Sequence, residues 1–348
     1  MDYLLALDVG GGTRDLLLWQ RDQTIENAVK MVLPSPTRVA AARIRRAGAS
    51  GRPVFLSGWL MGGGMVSRAV QEHLAAGHQV WATPSAAATL HDDPARVQAM
   101  GVAIVESAPA DAVVIPFGDL DLDSLAGALA RFDLELPAQL AVAVCDHGYS
   151  PGFSNRKFRF GQWRSFLDSG GRLSDLITDD PAEHLTRMRA IADQAPGVLL
   201  MDTAAAALWG ALQDPTVAAR AEQGICVVNA GNMHTVGFLL QGERVLGVYE
   251  HHTRRLDTAR LADHIARFIS GDLADQEVFD DNGHGCARLA EAPREVAGPV
   301  VLTGPRRRLA QGLGWQTAVP LGDVMLSGCF GLVAAARVAW GEADPRWF

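Results

Sequence analysis

Residues able to handle a charged ligand fall in a few short segments of this 348-residue chain. The first is Asp8-Val9-Gly10-Gly11-Gly12-Thr13-Arg14-Asp15, directly after the apolar run Leu4 to Leu7. Consecutive glycines let backbone N–H groups converge on an anion, because no Cβ blocks the approach and positive φ is free of penalty there. Thr13 adds a hydroxyl donor. Asp8, at the end of the first strand, is placed to hold a metal-bound water and not phosphate itself, since two anions repel; a metal at Asp8 is implied. Tight hairpins also use such turns for steric reasons alone, so repetition matters: Ile225 to Phe238 again reads strand, glycine-bearing turn, strand, through Asn229, Gly231, Asn232 and Thr235. A third segment, Val300 to Pro305, is an apolar strand ending at Gly304 before a helical pattern, which suits a nucleoside contact or a phosphate at a helix N-terminus.

A second set of residues could move protons or bind a metal. Asp146-His147-Gly148 and Glu250-His251-His252-Thr253 each follow a strand pattern, and Asp281-Asn282-Gly283-His284-Gly285 sits in a glycine-bounded loop. Strand ends line the ligand crevice of α/β sheets. Converged, these segments would offer carboxylates as a general base (Asp146, Glu250 or Asp281), imidazoles for proton transfer (His147, His251, His284), or a histidine-rich divalent-metal site. Separately hydrogen-bonded histidines are the plain alternative. His251 and His252 are adjacent on a strand, so at most one faces the cleft. His73, His78, His91, His184 and His264 read as incidental. Arg156, Lys157 and Arg159 alternate with Phe158 and Phe160, the pattern of an amphipathic edge strand or of a basic patch for an acidic substrate. Ser57 to Gly64, with Met61-Gly62-Gly63-Gly64, is either a second anion-binding turn or a packing turn.

Positioning these residues falls to short apolar strands bounded by Gly or Pro, alternating with alanine-rich helical stretches, the signature of an α/β fold. Strands are expected at Leu4 to Asp8, Leu16 to Trp19, Leu140 to Cys145, Ile225 to Asn229, Val236 to Leu240 and Val300 to Thr303, among others. Helices are expected at Val66 to Ala76, Ser124 to Phe132, Pro181 to Gln194, Thr203 to Leu212, Thr258 to Ile269 and Phe330 to Trp340. Arg43, Arg45 and Arg46 read as a solvated helix face. The length exceeds one ordinary core, and Pro196 suggests a division into residues 1–195 and 196–348, each with one copy of the repeated hairpin.

The order of first hairpin, connecting helix, second hairpin and Thr303-Gly304 turn resembles the superfamily of sugar kinases, heat-shock chaperone ATPases and actin (ASKHA). The first motif, Asp8 to Gly11 with Asp15 deeper in the next strand, is similar to that of hydantoinase A and oxoprolinase. Across Asp8 to Asp15, Met61 to Gly64, Asp146 to Gly148, Glu250 to Thr253 and His284-Gly285, the chain also resembles an uncharacterised archaeal and bacterial family labelled pyruvate formate-lyase activating enzyme-like. The resemblance implies two lobes of duplicated actin or ribonuclease H-like architecture, mixed sheets flanked by helices, closing on ATP and Mg²⁺ with Gly10, Gly11, Gly12, Thr13, Asn229, Gly231, Asn232, Thr235 and Gly304 around the nucleotide. Two positions depart from it: Asn229 stands where the second phosphate loop usually has Asp, and Pro305 replaces the second Gly of the adenosine turn. The label's radical chemistry lacks its ligands, because Cys145, Cys226, Cys286 and Cys329 lie more than 40 residues apart.

The expected activity is a Mg²⁺-dependent phosphotransferase or ATPase acting on an unknown small molecule. One alternative is a nucleotide-gated switch that activates a protein partner; another is a metal-dependent hydrolase built on the histidines. A formal net charge of -8 argues against a nucleic-acid partner. With no apolar run of bilayer length and no signal-peptide pattern at Met1, a cytoplasmic protein without membrane attachment is expected, and a homodimer is left open.

Overall fold

The computed structural model describes residues 3–21, 23–62 and 64–342. It is a mixed α/β structure with three sheets flanked by helices. The chain starts as a meander of β1 (Tyr3–Val9), β2 (Thr13–Gln20) and β3 (Val29–Pro34). It then leaves for a compact insertion in which β4 (Val54–Gly58), β5 (Val80–Ala82), β6 (Val102–Ile104) and β7 (Val113–Phe117) form a parallel sheet ordered β6-β5-β4-β7. Helices α1 (Pro36–Ala49), α2 (Gly64–Ala75), α3 (Pro84–Leu90) and α4 (Pro94–Ala99) belong to the same insertion. Arg43, Arg45 and Arg46 lie on the exposed face of α1, and Arg45 pairs with Glu72 of α2 at 2.7 Å.

After α5 (Leu122–Ala130) the chain returns to the first sheet with β8 (Gln139–Val144), then runs through α6 (Asn155–Asp168), β9 (Ile177–Thr178), α7 (Thr186–Gln194) and β10 (Leu199–Met201). The sheet order is β3-β2-β1-β8-β10-β9, with β1, β8 and β10 parallel. Helices α8 (Thr203–Ala211) and α9 (Pro215–Ala218) lead to the third sheet: β11 (Ile225–Ala230), β12 (His234–Gln241), β13 (Arg244–His252), β14 (Gly285–Arg288), β15 (Val300–Thr303) and β16 (Gln316–Thr317). Between β13 and β14 run α10 (Thr258–Ser270) and α11 (Asp275–Asp280), and α12 (Ser327–Ala339) closes the fold.

In the third sheet the order is β14-β13-β12-β11-β15-β16. Its segment β13-β12-β11-β15-β16 repeats β3-β2-β1-β8-β10 strand for strand, with three antiparallel strands followed by two parallel ones in each. The repeat seen in the sequence is therefore a repeat of topology. Sheet membership changes after Met201, because β10 pairs with β8.

Alternation in β1 explains the layering. Leu4 and Ala6 face α8 and α12, whereas Leu5, Leu7 and Val9 face Leu125 and Leu129 of α5 and Met188 and Ile191 of α7. In β11, Val227 faces α8 and α12, and Cys226 and Val228 face Leu261, Ile265 and Phe268 of α10. Thus α8 and α12 lie between the two six-stranded sheets. Both helices are apolar on every side, as a helix covered all round must be. They cross very closely: a Cβ on Gly331 would collide with the backbone carbonyl of Ala206, and one on Gly210 with that of Ser327. Backbone atoms cannot swing away, so Gly331→Ala should destabilise the protein by about 2–3 kcal/mol. Urea unfolding measures this, and an unchanged midpoint would mean the crossing has room to spare.

Among the described residues no helix is long and apolar enough to cross a membrane. Two expected elements are overturned. The helical pattern after Gly304 is a single 3₁₀ turn, Arg307–Ala310, and offers no helix N-terminus. Residues 156–160 lie in α6, not in an edge strand: Ser154 caps the helix by accepting from Lys157 N, and Phe160, Trp163 and Leu167 form its buried face at helical spacing.

Candidate functional site

The two glycine turns meet across one cleft. In the first, Gly10 N–H donates to Thr13 O at 2.9 Å; in the second, Gly231 N–H donates to His234 O at 2.9 Å. The carbonyls are tied on the outer side. Ser35 and Thr37, at the start of α1, donate to Gly11 O at 3.2 and 3.3 Å, and Thr253 donates its hydroxyl to Gly231 O at 2.8 Å. The turns touch, since a Cβ on Gly12 would stand 2.5 Å from Asn232 Nδ2 and one on Gly11 would stand 2.7 Å from Met233 Cγ. The third expected piece joins them: Gly304, at φ +97°, packs against Ala230 O and the side chain of Asn229.

Of the expected nucleotide residues, Gly10, Gly11, Thr13, Asn229, Gly231, Asn232 and Gly304 line this cleft, as does Asp8. Two do not. Gly12 lines the adjoining groove, whose rim carries Arg38, Arg68, Arg254 and Arg306. Thr235 is buried and bonds Thr253 at 3.0 Å, so it braces the turn from behind. By register the counterpart of Thr13 is His234, the first residue of β12. Gly62 and Gly64 line the same arginine-rimmed groove, and Gly63 lies outside the described residues.

Carboxylates make up the cleft floor. Asp8 and Asp15 are register partners on β1 and β2. Asp8 Oδ1 and Asp15 Oδ1 are both buried without a hydrogen-bond partner. Asp202, at the N-cap of α8, accepts from Ala204 N–H at 2.9 Å and pairs with Arg159 at 2.8 Å. Burial first, then the charges of Asp15 and Asp202, hold the Asp8 carboxyl well above the usual carboxylate range. Burial raises Asp15 to about 7, against the opposing hydrogen bond from Thr13. Burial raises Asp202 as well, despite Arg159. The N-terminus of α12 abuts this group, with Gly328 against the Asp8 carboxylate.

A raised folded-state pKa means stability that is complete below the unfolded value, near 4, and lost as pH climbs through the folded one. In magnesium-free protein Asp15 should therefore cost stability on the order of 3 kcal/mol as pH rises from about 4 to 7. Melting curves across that range should slope less for Asp15→Asn; parallel slopes would refute the assignment.

Arg159 is the buried cation of the site. It pairs with Asp202 and, at 3.3 Å, with Glu250, and donates to Asp146 O at 3.2 Å. Glu250 is wholly buried and accepts from Trp163 Nε1 at 2.8 Å. Burial is the largest influence and opposes its ionisation, but Arg159, His234, His147 and the Trp163 hydrogen bond together outweigh it and bring its pKa below the usual range. Glu250 is a held anion on the cleft wall.

Two expected bases are engaged elsewhere. Asp146 spends one oxygen on Gly148 N–H at 2.9 Å and the other on Arg187 N–H and Met188 N–H at 2.9 and 3.0 Å, so it fastens α7 to β8. Asp281 pairs with Arg260 at 2.9 Å and His251 at 3.2 Å on the far side of β13, beside His264. His251 thus points away from the cleft, as strand alternation requires, and His252 points toward it.

His147, His234, His252 and His284 gather at one end of the cleft. Ring centroids are 4.7 Å apart for His234 and His284, 4.6 Å for His252 and His284, and 5.1 Å for His147 and His234. Burial is the main cause that holds His147 and His284 well below the usual imidazole value and His234 down at about 4. Sequence reasoning missed four residues here. Asp202 was signalled by an Asp-Thr-Ala-Ala N-cap pattern, Arg159 was misassigned with its helix, His252 was passed over for its neighbour His251, and His234 carried no local signal.

No curated protein matches the chain. Among solved structures, a glucokinase from Balamuthia mandrillaris in complex with glucose aligns with 79% of this chain at 10% identity and a TM-score of 0.25, and the alignment spans 57% of the glucokinase chain. At that level neither fold nor ligand transfers. The family model described as "Putative pyruvate format-lyase activating enzyme (DUF1786)" matches residues 61–309, a stretch that holds the glycine loop after Met61, the second hairpin and all four clustered histidines, and the chain belongs to that family.

Proposed function

We propose that the chain binds a magnesium–nucleoside triphosphate, ATP in the first instance, between its two glycine turns and transfers the terminal phosphoryl group to a small molecule or to water. One observation carries this reading: two turns closed by the same 2.9 Å bond abut over the unpartnered Asp8 Oδ1 and Asp15 Oδ1. The repeated strand order supports a two-lobed, actin or ribonuclease H-like architecture around that cleft. The radical activation in the family description is not part of this reading, since the four cysteines are widely separated in sequence.

The backbone N–H edges of Gly11 to Thr13 and Asn232 to His234, beyond the Gly10 and Gly231 bonds that close the turns, hold phosphate oxygens from two sides. Gly304 meets the nucleoside. Hard carboxylate oxygens on Asp8 and Asp15 suit Mg²⁺, which when bound supplies charge neutralisation at the phosphates. Asp202, with one oxygen capping α8 and the other paired with Arg159, is a fixed third carboxylate at the cleft. Arg159 keeps Asp202 and Glu250 in place. Asn229 favours a second reading, because a neutral amide at the second turn weakens metal binding there: a nucleotide-gated switch without fast turnover.

A phosphate-release assay over a panel of small acids and sugars separates the two. Stimulation by one acceptor class supports the transferase, and tight ATP binding without release under any condition supports the switch. Absence of binding defeats both.

A further inference from the structure

Four imidazoles from separate segments are more than the phosphate chemistry requires. We infer that His234, His252 and His284, with His147 alongside, form a binding site for a divalent transition metal of the zinc or iron(II) class, distinct from the carboxylate floor. The inference does not rest on the nucleotide reading.

Backbone registration puts the ligands together. His234 opens β12 and His252 ends β13, directly opposite one another in the ladder. His284 enters from the loop before β14, fixed by its N–H to Glu250 O at 2.9 Å. His147 arrives from the other large sheet, just past the end of β8. One nitrogen each from His234, His252 and His284 lies within 4.8 Å of the other two. Tetrahedral bonds of about 2.0–2.1 Å put nitrogens about 3.4 Å apart, so shifts on the order of 1 Å complete the site.

The outer partners are those of ligating imidazoles. His252 Nδ1 is 2.7 Å from Asn282 O, and His234 Nδ1 is 3.5 Å from Glu250 Oε1, a carboxylate itself held by Arg159 and Trp163. At His252 that acceptor fixes the proton on Nδ1 and bares Nε2 for a metal. His284 is 2% exposed, and neither of its ring nitrogens has a partner. A buried imidazole with both nitrogens unmet needs an explanation, and a shared ion gives one. By contrast, His251 and His264 satisfy each other's neighbourhood: His251 bonds Asp281 at 3.2 Å and His264 bonds Tyr249 at 3.0 Å.

Ligand chemistry sorts the two centres, because imidazole selects zinc and iron whereas carboxylates select magnesium. Cys145, with Sγ 3.6 Å from His234 Nδ1, adds a soft donor next to the cluster. His147 and His252 also line a polar cavity with Asp92, Tyr149 and Arg156, through which an oxygen-bearing small molecule would reach an open coordination position.

The test uses Co²⁺ added to the chelator-stripped full-length chain. One equivalent should give the visible ligand-field bands of a four- or five-coordinate site, and X-ray absorption of the unmodified protein should count at least three imidazoles. His252→Ala and His284→Ala should each weaken Co²⁺ binding by at least about 100-fold, the upper end of what loss of an outer partner does. His251→Ala and His264→Ala, on the far face of β13, should leave it unchanged, and because the readout uses no nucleotide the result stays separate from the fate of the nucleotide reading. Absence of the bands in the parent protein, or fewer than two imidazoles by absorption, overturns the site, as does retention in His284→Ala with loss in His251→Ala.

Discussion

Asp8→Ala is expected to abolish magnesium-dependent stabilisation by ATP while the protein stays folded. The side chain sits at the end of β1, below the glycine turn, with Oδ1 buried and unpartnered. Losing the principal carboxylate of a hard-cation site should weaken Mg-ATP at least about 100-fold, close to 2.7 kcal/mol. The ligand-free variant should melt higher than the parent. Burial, Asp15 and Asp202 all raise the Asp8 pKa, so the fold disfavours its ionisation and its contribution to stability falls as pH rises. Activity and stability thus pull in opposite directions at this residue. Thermal shift with and without Mg-ATP reads both effects, and equal ATP-induced shifts in variant and parent would count against the site.

Arg159→Met should be the most damaging single change to stability. The guanidinium is almost fully buried between Asp202 at 2.8 Å and Glu250 at 3.3 Å. Removing it strands two buried carboxylates, a loss of about 3–5 kcal/mol for broken buried pairs. The pH dependence has a definite sign. Without Arg159 both carboxyls have folded-state pKa values above their unfolded ones, so the deficit is small near pH 4 and grows toward neutrality. Arg159→Lys should rescue only in part, because one ammonium cannot reproduce the fork that also reaches Asp146 O. Urea unfolding at pH 5 and pH 7.5 measures it, and a deficit that is equal at both would show that Arg159 acts through packing.

What the sequence made legible was local. A glycine turn between two apolar runs declares a hairpin wherever it occurs, and its recurrence 221 residues later, from Gly10 to Gly231, revealed the topological repeat. Thr235 instead of His234 was a one-residue slip; in a strand that swaps cleft for core. Residues 156–160 showed period-two alternation over five positions, and only the fourteen-residue span to Asp168 reveals the helical face. Asp146-His147 looked like a proton-transfer pair, yet Asp146 bonds backbone N–H groups at Arg187 and Met188, a contact no local pattern encodes. The same holds for the histidine cluster. Its members sit on four separate segments, brought together by the β12–β13 register and by the approach of β8 from the other large sheet.

In the proposed function both turns grip one triphosphate. Hydrogen–deuterium exchange with a non-hydrolysable ATP analogue and magnesium tests it most directly. Amides at 11–13 and 232–234 should gain protection together, at the same analogue concentration, while those of Gly10 and Gly231 are already bonded within their turns. Protection of one turn alone, or of neither, would contradict it.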